Sequence, residues 1–446
     1  MIRLGKLIGF ILVMMLTNFW VICTYLQMGW LGSTALFLVL LLFFIVLNVV
    51  PLWKKGNFSR LGVLLGGETL VEICVITFTV NIALTICYGF LLLPDRLQVG
   101  TYILQIVLML LFSGVLIING CVRMFFTSVQ LGIKWRVLFF LLWWVPAINL
   151  ILLWKVCRIV REEYAFEMEK RALNEIRKQN ESCKTRYPLV LVHGVFFRDQ
   201  KFFNYWGRIP GELLRNGAVV YYGEQQSAAS TESAAAELKE RILSIVQESG
   251  CGKVNIIAHS KGGLEARCAI SRLGLAPYVA SLTTINTPHR GCAYVDWLLE
   301  KMPKCICDWI ANRYNAALRR LGDDQPDFYA AVSDLTSRRC EAFNRETEDA
   351  PEVYYQSVGS KMKGWTSAPF PQNVSYLLVR HFHRENDGLV GPPAMKWGEN
   401  FHVLTASGRR GISHGDMIDL NRQNIRGFDV REFYVWLVRD LKKQGY

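Results

Sequence analysis

Five long apolar stretches, each without a charged residue, occupy most of the first third of the chain. They run over Leu7–Tyr25, Gly32–Val50, Ile73–Leu93, Thr101–Ile118 and Val137–Trp154. A helix needs roughly 20 consecutive apolar residues to cross the hydrocarbon core of a bilayer. The sequence therefore predicts a membrane module of about five helices over residues 1–154. Because none of the five stretches carries Asp, Glu, Lys or Arg, no proton relay or ion path is visible in them.

The first stretch is interpreted as a retained span, since no small-residue cleavage site follows it. Basic residues in the alternate short loops place the N-terminus in the cytoplasm; they are Arg3, Lys6, Lys54, Lys55, Arg60, Arg123, Lys134 and Arg136. Five spans would then put the rest of the chain outside. Lys155, Arg158 and Arg161 argue for the inside, and Pro146 could make the fifth stretch re-entrant. Long domains cross regardless of charge, so we expect a multi-pass cell-membrane protein with an extracytoplasmic second part.

Two carboxylates, Glu68 and Glu72, lie four residues apart just before the third stretch. They could form a polar site at the membrane face or belong to an interfacial helix start, and the second interpretation is favoured. Residues 155–186 mix acidic and basic side chains without glycine or proline, and they predict a charged helical linker.

The net charge of +13 does not indicate a nucleic-acid partner, because no Lys/Arg cluster is interleaved with aromatic residues. The chain contains 12 cysteines, seven of them from Cys183 onward, which disfavours a regular disulfide framework. Cys305 and Cys307 form a C-x-C pair with no partner ligands at zinc-site spacing. We therefore expect free thiols, no metal and no cofactor.

Residues 187–446 alternate short apolar runs with helical segments. Such alternation predicts an α/β fold with a mostly parallel sheet. The expected strands are Leu189–Val192, Ala218–Tyr222, Val254–Ala258, Ser281–Ile285, Val353–Val358, Tyr376–Val379 and Phe401–Leu404. The expected helices are Trp206–Asn216, Ser233–Glu248, Lys261–Leu273 and Val430–Lys443.

Ser260 stands between an apolar strand and a helix, in the segment Ala258-His259-Ser260-Lys261-Gly262-Gly263. A nucleophile elbow requires this order, and its sharp turn requires small residues two positions before and after the serine. Ala258 replaces the first glycine of G-x-S-x-G, so the strand–turn–helix context carries the prediction.

Two backbone amides are candidates for an oxyanion hole. One belongs to Lys261, the residue after the nucleophile, and the other to Val195, in the loop that follows the first strand. Gly194 between them in the His193-Gly194-Val195 segment would allow a close backbone approach.

A serine nucleophile needs a base and an orienting carboxylate, which follow in the chain order Ser, acid, His. His414 lies in a loop before the last helix and is preferred to His402, which falls in an expected strand. Asp387 lies among turn residues after a strand and is the preferred acid, with Glu385 as the runner-up. Asp416 could brace the histidine loop or cap a following helix.

Several blocks together resemble the bacterial triacylglycerol lipases of the α/β-hydrolase family. They are Tyr187–Gly194, Ala258–Gly263, Thr284–Gly291, Asp334–Thr336 with Phe343-Asn344, Asn386–Val390 and Ser413–Asp416. The resemblance covers residues 187–446. It implies an ester hydrolase with the triad Ser260, Asp387 and His414, oxyanion donors Val195 and Lys261, and a cap or lid over about residues 291–350. Some relatives hold a structural calcium ion, but no full oxygen set accompanies Asp416.

Two features depart from that family. Lys261 replaces the usual Met or Gln, and its side chain is expected to border the site and favour a polar or anionic ester. The membrane module is the other departure. The sequence thus predicts a membrane-anchored serine ester hydrolase acting on lipids or other acyl esters. An acyltransferase or thioesterase with the same triad, or a non-catalytic membrane receptor or scaffold with this fold, remain the alternatives.

Overall fold

The computed structural model describes residues 2–50, 59–91, 97–195, 204–320, 323 and 325–446. These residues form two compact units, 1–171 and 172–446, which are described separately. Lys54 and Lys55, which contribute to the predicted orientation, lie outside the described residues, as do the last two residues of the third apolar stretch.

The first unit is entirely helical in its described part. Its helices are α1 (Ile2–Thr17), α2 (Phe19–Tyr25), α3 (Trp30–Val49), α4 (Arg60–Leu91), α5 (Val99–Thr127), α6 (Gly132–Leu142) and α7 (Ile148–Arg177), the last of which continues into the second unit. Helices α3, α4 and α5 are each long and apolar enough to cross a membrane. A fourth crossing exists if α1 and α2, bent by 62° at Asn18, count as one broken span.

The fifth apolar stretch does not form the single span predicted for Val137–Trp154. It covers the end of α6 and the beginning of α7, with a break at residues 143–147. Pro146 lacks a backbone N–H and disfavours helical geometry at the residue before it, and Ala147 adopts a left-handed conformation with φ of 65°. The apolar composition persists through the break, which is why composition alone could not reveal it.

Close backbone contact and ion pairs hold the first unit together. Helices α4 and α5 approach so closely that a Cβ added to Gly67 would lie 2.8 Å from the carbonyl oxygen of Gly120. Glu68 was expected at a helix start, but it lies within α4, which begins at Arg60, and its side chain is buried. It accepts from Arg161 of α7 at 2.5 Å and lies 3.6 Å from Lys6 of α1. These pairs fix three helices that are distant in sequence.

The second unit contains a six-stranded sheet in which all neighbouring strands are parallel. Its strands are β1 (Leu189–Val192), β2 (Val220–Tyr222), β3 (Val254–His259), β4 (Val279–Ile285), β5 (Tyr354–Ser360) and β6 (Asn400–Leu404). The spatial order is β2-β1-β3-β4-β5-β6, so β3 lies near the centre. Strands β1, β3, β4 and β5 are buried along their whole length, as parallel strands covered on both faces are expected to be.

Helices cover both faces of the sheet. The unit adds α8 (Ile209–Arg215), α9 (Thr231–Ser249), α10 (Gly262–Arg272), α11 (Ala293–Lys301), α12 (Lys304–Arg320), α13 (Phe328–Ser333), α14 (Ser337–Glu346), α15 (Gln372–Val379), α16 (Pro392–Met395) and α17 (Val430–Lys443). Helices α8 and α17 pack on the face that presents Leu189 and Leu191, whereas α9 and α10 pack on the face that presents Val190 and Val192. Alternate residues of β1 thereby enter two separate cores.

The strand predicted at Tyr376–Val379 is wrong, because this segment belongs to α15. Its buried residues, Tyr376 and Val379, are three apart, while Val374 and Leu377 are exposed. That spacing is helical, and a short apolar run does not distinguish it from a strand by sequence alone. The remaining predicted strands all correspond to strands of the sheet, with ends shifted by a few residues.

Candidate active site

Ser260 lies in a sharp turn between the carboxyl end of β3 and the start of α10. It is left-handed, with φ of 55°, and its amide donates to the carbonyl oxygen of Ile285 at 2.9 Å. A Cβ on Gly262 would lie 2.3 Å from the carbonyl oxygen of His193, and one on Gly263 would lie 2.2 Å from Oγ1 of Thr287. Both glycines are therefore required by close approach, and the turn has the geometry of a nucleophile elbow.

His414 and Asp387 meet in the same region although they are distant in sequence. Nδ1 of His414 lies 2.6 Å from Oδ2 of Asp387, and both side chains are almost completely buried. Oδ1 of Asp387 accepts the amides of Leu389 and Val390 at 2.8 and 2.7 Å. With Nδ1 engaged, the Nε2 atom of His414 is the ring nitrogen left for proton transfer.

The two candidate oxyanion donors lie on neighbouring backbone segments. Val195 follows β1 and Lys261 follows the nucleophile, and the contact of Gly262 with the His193 carbonyl brings these segments together. Within the described part of the chain, neither amide donates to another protein group. Two free amides beside a strained serine are the arrangement that stabilises a tetrahedral oxyanion.

The side chain of Lys261 does not border the site, which corrects the expectation from its charge. It is completely buried, and its ammonium donates to Oε1 of Glu265, one turn later in α10, at 2.7 Å. A buried ammonium group must be paired because isolated burial of a charge is costly. Lys261 therefore gives no reason to favour an anionic ester.

A cavity of about 320 Å³ opens above Ser260 and His414. Its roof consists of apolar residues from α11, α12, α13 and the turn between α11 and α12: Val295, Leu298, Leu299, Met302, Cys307, Ile310, Phe328, Tyr329 and Val332. These helices lie within the segment expected to form a cap. Val195 also lines the cavity, so the candidate nucleophile, base and one oxyanion donor face a single apolar space.

Glu385, the runner-up acid, and His402, the histidine not preferred as the base, lie elsewhere, and so does His289 of the Thr284–Gly291 block. Glu385 is exposed and pairs with Lys361 at 2.8 Å, and His402 lies in edge strand β6 with its side chain in solvent. His289 is buried, bonds Oγ1 of Thr284 at 2.9 Å and stacks on Trp397. None of the three lines the cavity.

Asp416 braces the histidine loop. Its carboxylate accepts from Arg410 at 2.5 Å and from the amide of Ser413 at 2.9 Å. Both oxygens are thus engaged by donors, which does not fit a calcium ligand. Among the residues that the structure describes, no group of three or more His, Cys, Asp or Glu side chains could hold a metal ion.

Three residues that the sequence motifs did not indicate, Asn286, His259 and Tyr205, lie around the candidate triad. Asn286, left-handed at the end of β4, donates through Nδ2 to Oδ2 of Asp387 at 2.7 Å. His259 packs on His414 with ring centroids 4.5 Å apart, and its Nδ1 lies 2.7 Å from the Tyr205 hydroxyl. Burial, followed by the neighbouring His414, lowers the pKa of His259 well below its ordinary value, so its ring stays neutral. A polar residue at the end of a buried strand was the available signal for Asn286.

The strand order, the elbow and the helical cap define an α/β-hydrolase. A family model described as "Putative serine esterase (DUF676)" matches residues 188–322. A triacylglycerol lipase of Vibrio cholerae serotype O1 is 31% identical over 230 residues, which cover 46% of this chain and 73% of the relative. Triacylglycerol lipase 2 of Saccharomyces cerevisiae is 28% identical over 272 residues, covering 56% and 78% of the two chains.

Solved structures of similar fold include the mature lipase BlEst2 of Bacillus licheniformis, with 22% identity, a TM-score of 0.41 and coverage of 53% of this chain and 87% of that one. The metagenomic carboxyl esterase MGS0156 gives 14% identity, a TM-score of 0.44 and coverage of 58% and 76%. The chain belongs to the triacylglycerol lipase family and is a carboxylic ester hydrolase of the lipase type.

Proposed function

We propose that this protein is a membrane-anchored serine ester hydrolase that cleaves acyl esters or lipids through Ser260, His414 and Asp387. One observation carries the proposal: the His414–Asp387 pair and the strained Ser260 line the same apolar cavity under a helical cap. The names of the curated relatives add triacylglycerols as the first substrates to try.

In the proposed reaction, Oγ of Ser260 attacks the ester carbonyl while Nε2 of His414 accepts its proton. The amides of Val195 and Lys261 stabilise the negative charge that develops on the carbonyl oxygen. His414 then gives its proton to the leaving alcohol, which departs and leaves an acyl-serine ester. A water molecule, deprotonated by His414, attacks that ester and releases the carboxylic acid and Ser260.

Asp387 orients the imidazole and stabilises its charged form during both proton transfers. Its position is fixed by three donors, namely the amides of Leu389 and Val390 and the side chain of Asn286. A carboxylate held in this way does not rotate away when the histidine becomes charged.

The apolar roof favours the acyl chain as the part of the substrate that is buried. Leucine, isoleucine, methionine and aromatic side chains surround the cavity and gain free energy when they displace water against a hydrocarbon chain. We therefore propose water-insoluble esters, rather than charged ones, as the preferred substrates.

Residues 1–154 would anchor the enzyme to the bilayer, residues 155–186 would link it, and residues 187–446 would carry the hydrolase with its cap at about 291–350. The support is that three helices, or four with the bent pair, are long and apolar enough to cross a membrane. We propose a multi-pass cell-membrane location with the hydrolase on the extracytoplasmic side, which three crossings from a cytoplasmic N-terminus would give. Four crossings would instead leave the hydrolase in the cytoplasm.

Ester hydrolysis by the full chain in detergent tests the chemistry. Purified wild-type protein, Ser260→Ala and the control Ser233→Ala, an exposed residue of α9, are assayed on p-nitrophenyl esters with short and long acyl chains. We expect hydrolysis by the wild type and the control and a loss of at least about a thousandfold in Ser260→Ala. Full activity in Ser260→Ala would show that another residue is the nucleophile.

The proposed side of the membrane is tested with Cys305, which is exposed in cap helix α12. A membrane-impermeant maleimide should label this thiol in intact cells, and Cys305→Ser should lose that labelling. Labelling that requires permeabilised cells would place the hydrolase in the cytoplasm without affecting the proposed chemistry.

A further inference from the structure

A buried polar bridge connects the two backbone segments that supply the candidate oxyanion donors. Lys261 donates to Oε1 of Glu265 at 2.7 Å, and Oε2 of Glu265 accepts from Nε2 of Gln225 at 2.9 Å. The same Gln225 nitrogen donates to the carbonyl oxygen of His193 at 3.1 Å. The His193 ring in turn contacts the Gln225 carbonyl oxygen through Nε2 at 2.9 Å.

The ends of this bridge lie beside the two amides. Lys261 itself supplies one of them, and His193 lies two residues before Val195, which supplies the other. All four bridging side chains are buried, with at most 2% of any of them exposed. Because none of them lines the cavity, they cannot act by touching the substrate.

We propose that Glu265, the Lys261 side chain and Gln225 are positioning residues that set the separation of the two oxyanion donors. The inference rests on the proposed serine mechanism. The bridge adds to two other contacts between the loop after β1 and the elbow. Gly262 lies against the His193 carbonyl, and the Gly194 amide donates to the Tyr205 hydroxyl, which lies 2.7 Å from Nδ1 of His259. Small displacements of a catalytic group can cost up to about a hundredfold in rate.

Stability alone does not explain why the pair is ionic. Replacing a buried ion pair with apolar residues of similar volume is often neutral or stabilising, whereas removing one partner is strongly destabilising. An apolar pair at positions 261 and 265 would therefore serve folding equally well. It would leave Gln225 without its carboxylate acceptor, so the side-chain amide that donates to the His193 carbonyl would no longer be held in place.

The double substitution Lys261→Met with Glu265→Leu separates these roles in the full chain. We expect its thermal midpoint to match or exceed that of the wild type, since no buried charge is left unpaired. We expect kcat for a p-nitrophenyl ester to fall about tenfold and KM to stay within about twofold, because only transition-state stabilisation is weakened.

A trifluoromethyl ketone with the same acyl chain reports directly on the oxyanion hole. Ser260 adds to its carbonyl, His414 takes the serine proton, and the resulting hemiketal oxyanion occupies the position of the tetrahedral intermediate. Its inhibition constant should rise about tenfold in the double variant, in parallel with the loss of kcat.

Gln225→Leu provides a second test that leaves the ion pair intact, should the double variant fail to fold. We expect it to lower kcat and raise the inhibition constant about fivefold. Cys268→Ala is the matched control, because it removes a buried atom from the same helix α10 and Cys268 makes no hydrogen bond to Lys261, Glu265 or Gln225 in the described part of the chain. It should lower the thermal midpoint without changing kcat.

Unchanged kcat and inhibition constant in folded variants would overturn the positioning role, while Ser260-dependent hydrolysis by the wild type would leave the proposed function standing. A fall in kcat with an unchanged inhibition constant would also overturn it, since the defect would then lie outside the oxyanion hole. Failure of the proposed function itself has a different signature, namely a wild type that neither hydrolyses the esters nor binds the ketone.

Discussion

The floor and the roof of the cavity differ in chemistry: polar groups joined by hydrogen bonds form the floor, and apolar side chains form the roof. The floor, formed by Ser260, His414, Asp387 and the segments around Val195 and Lys261, is held by short hydrogen bonds at the carboxyl ends of buried parallel strands. The roof, formed by α11, α12 and α13, presents apolar side chains inward and also exposes aromatic side chains such as Trp309. In the proposed mechanism, the floor would determine which bond reacts, whereas the roof would determine which acyl chain is bound.

Loss of the orienting carboxylate should have the largest effect on the floor. Asp387→Asn keeps the volume but leaves Nδ1 of His414 facing an amide, and we expect kcat to fall by about 10³–10⁴. The matched control Glu385→Gln, at the exposed runner-up, should retain wild-type activity. Equal losses in the two variants, measured on a short-chain ester, would contradict the assignment of the acid.

Filling the roof should change selectivity instead of chemistry. Leu298 lines the cavity from α11, and Leu298→Trp adds volume there. We expect kcat/KM for long-chain esters to fall about 10- to 100-fold while that for acetate esters changes little, because a short chain does not reach the roof. Glu300→Ala, an exposed change on the same helix, is the control. A uniform loss across chain lengths would mean that roof and floor are not separable.

A weaker effect is expected from the residue that supports Asp387. Asn286→Gly removes the amide donor but tolerates the positive φ of 49° at this position. We expect kcat to fall about tenfold, since one charge-assisted hydrogen bond to the carboxylate is lost. Ser360→Ala removes the other partner of the same amide, at 2.8 Å, without touching Asp387, and should cost less.

The smallest predicted effect is on the pH dependence of the free energy of unfolding. Burial lowers the pKa of both His259 and His289 well below the ordinary value of 6.5. The unfolded chain therefore binds protons below about pH 6.5 that the folded chain does not, and stability falls as the pH decreases by up to about 1.4 kcal/mol per pH unit for each histidine. His289→Gln should remove one such contribution, whereas His402→Gln, exposed in β6, should not. Identical pH dependence of the unfolding free energy in all three proteins would contradict this.

Local sequence chemistry selected candidate residues that the structure places around one cavity, for reasons that the residues make clear. The elbow needs small residues at Gly262 and Gly263, and parallel strands bring their carboxyl ends together, so Ser260, Asp387 and His414 could be selected from strand ends and chain order. Asn286, Gln225 and Glu265 were missed because their roles depend on contacts between segments 32 to 101 residues apart or on burial within α10.

Apolar composition was less informative than motifs. It predicted a strand at Tyr376–Val379, where the structure has α15, and one span at Val137–Trp154, where the chain breaks near Pro146. A different expectation, that the charged Lys261 side chain borders the site, was also wrong, because Glu265 one turn later pairs with this charge and keeps it buried. A sequence position shows which groups are available, but the packing decides which of them face the cavity.

Covalent labelling with a fluorophosphonate tests the central claim most directly. Peptide mapping of the full chain after reaction should find the phosphonate on Ser260, no adduct in Ser260→Ala, and much slower labelling in Asp387→Asn. An adduct on a different serine, or no adduct in a folded protein that hydrolyses esters, would contradict the assignment of Ser260 as the nucleophile of this lipase-family enzyme.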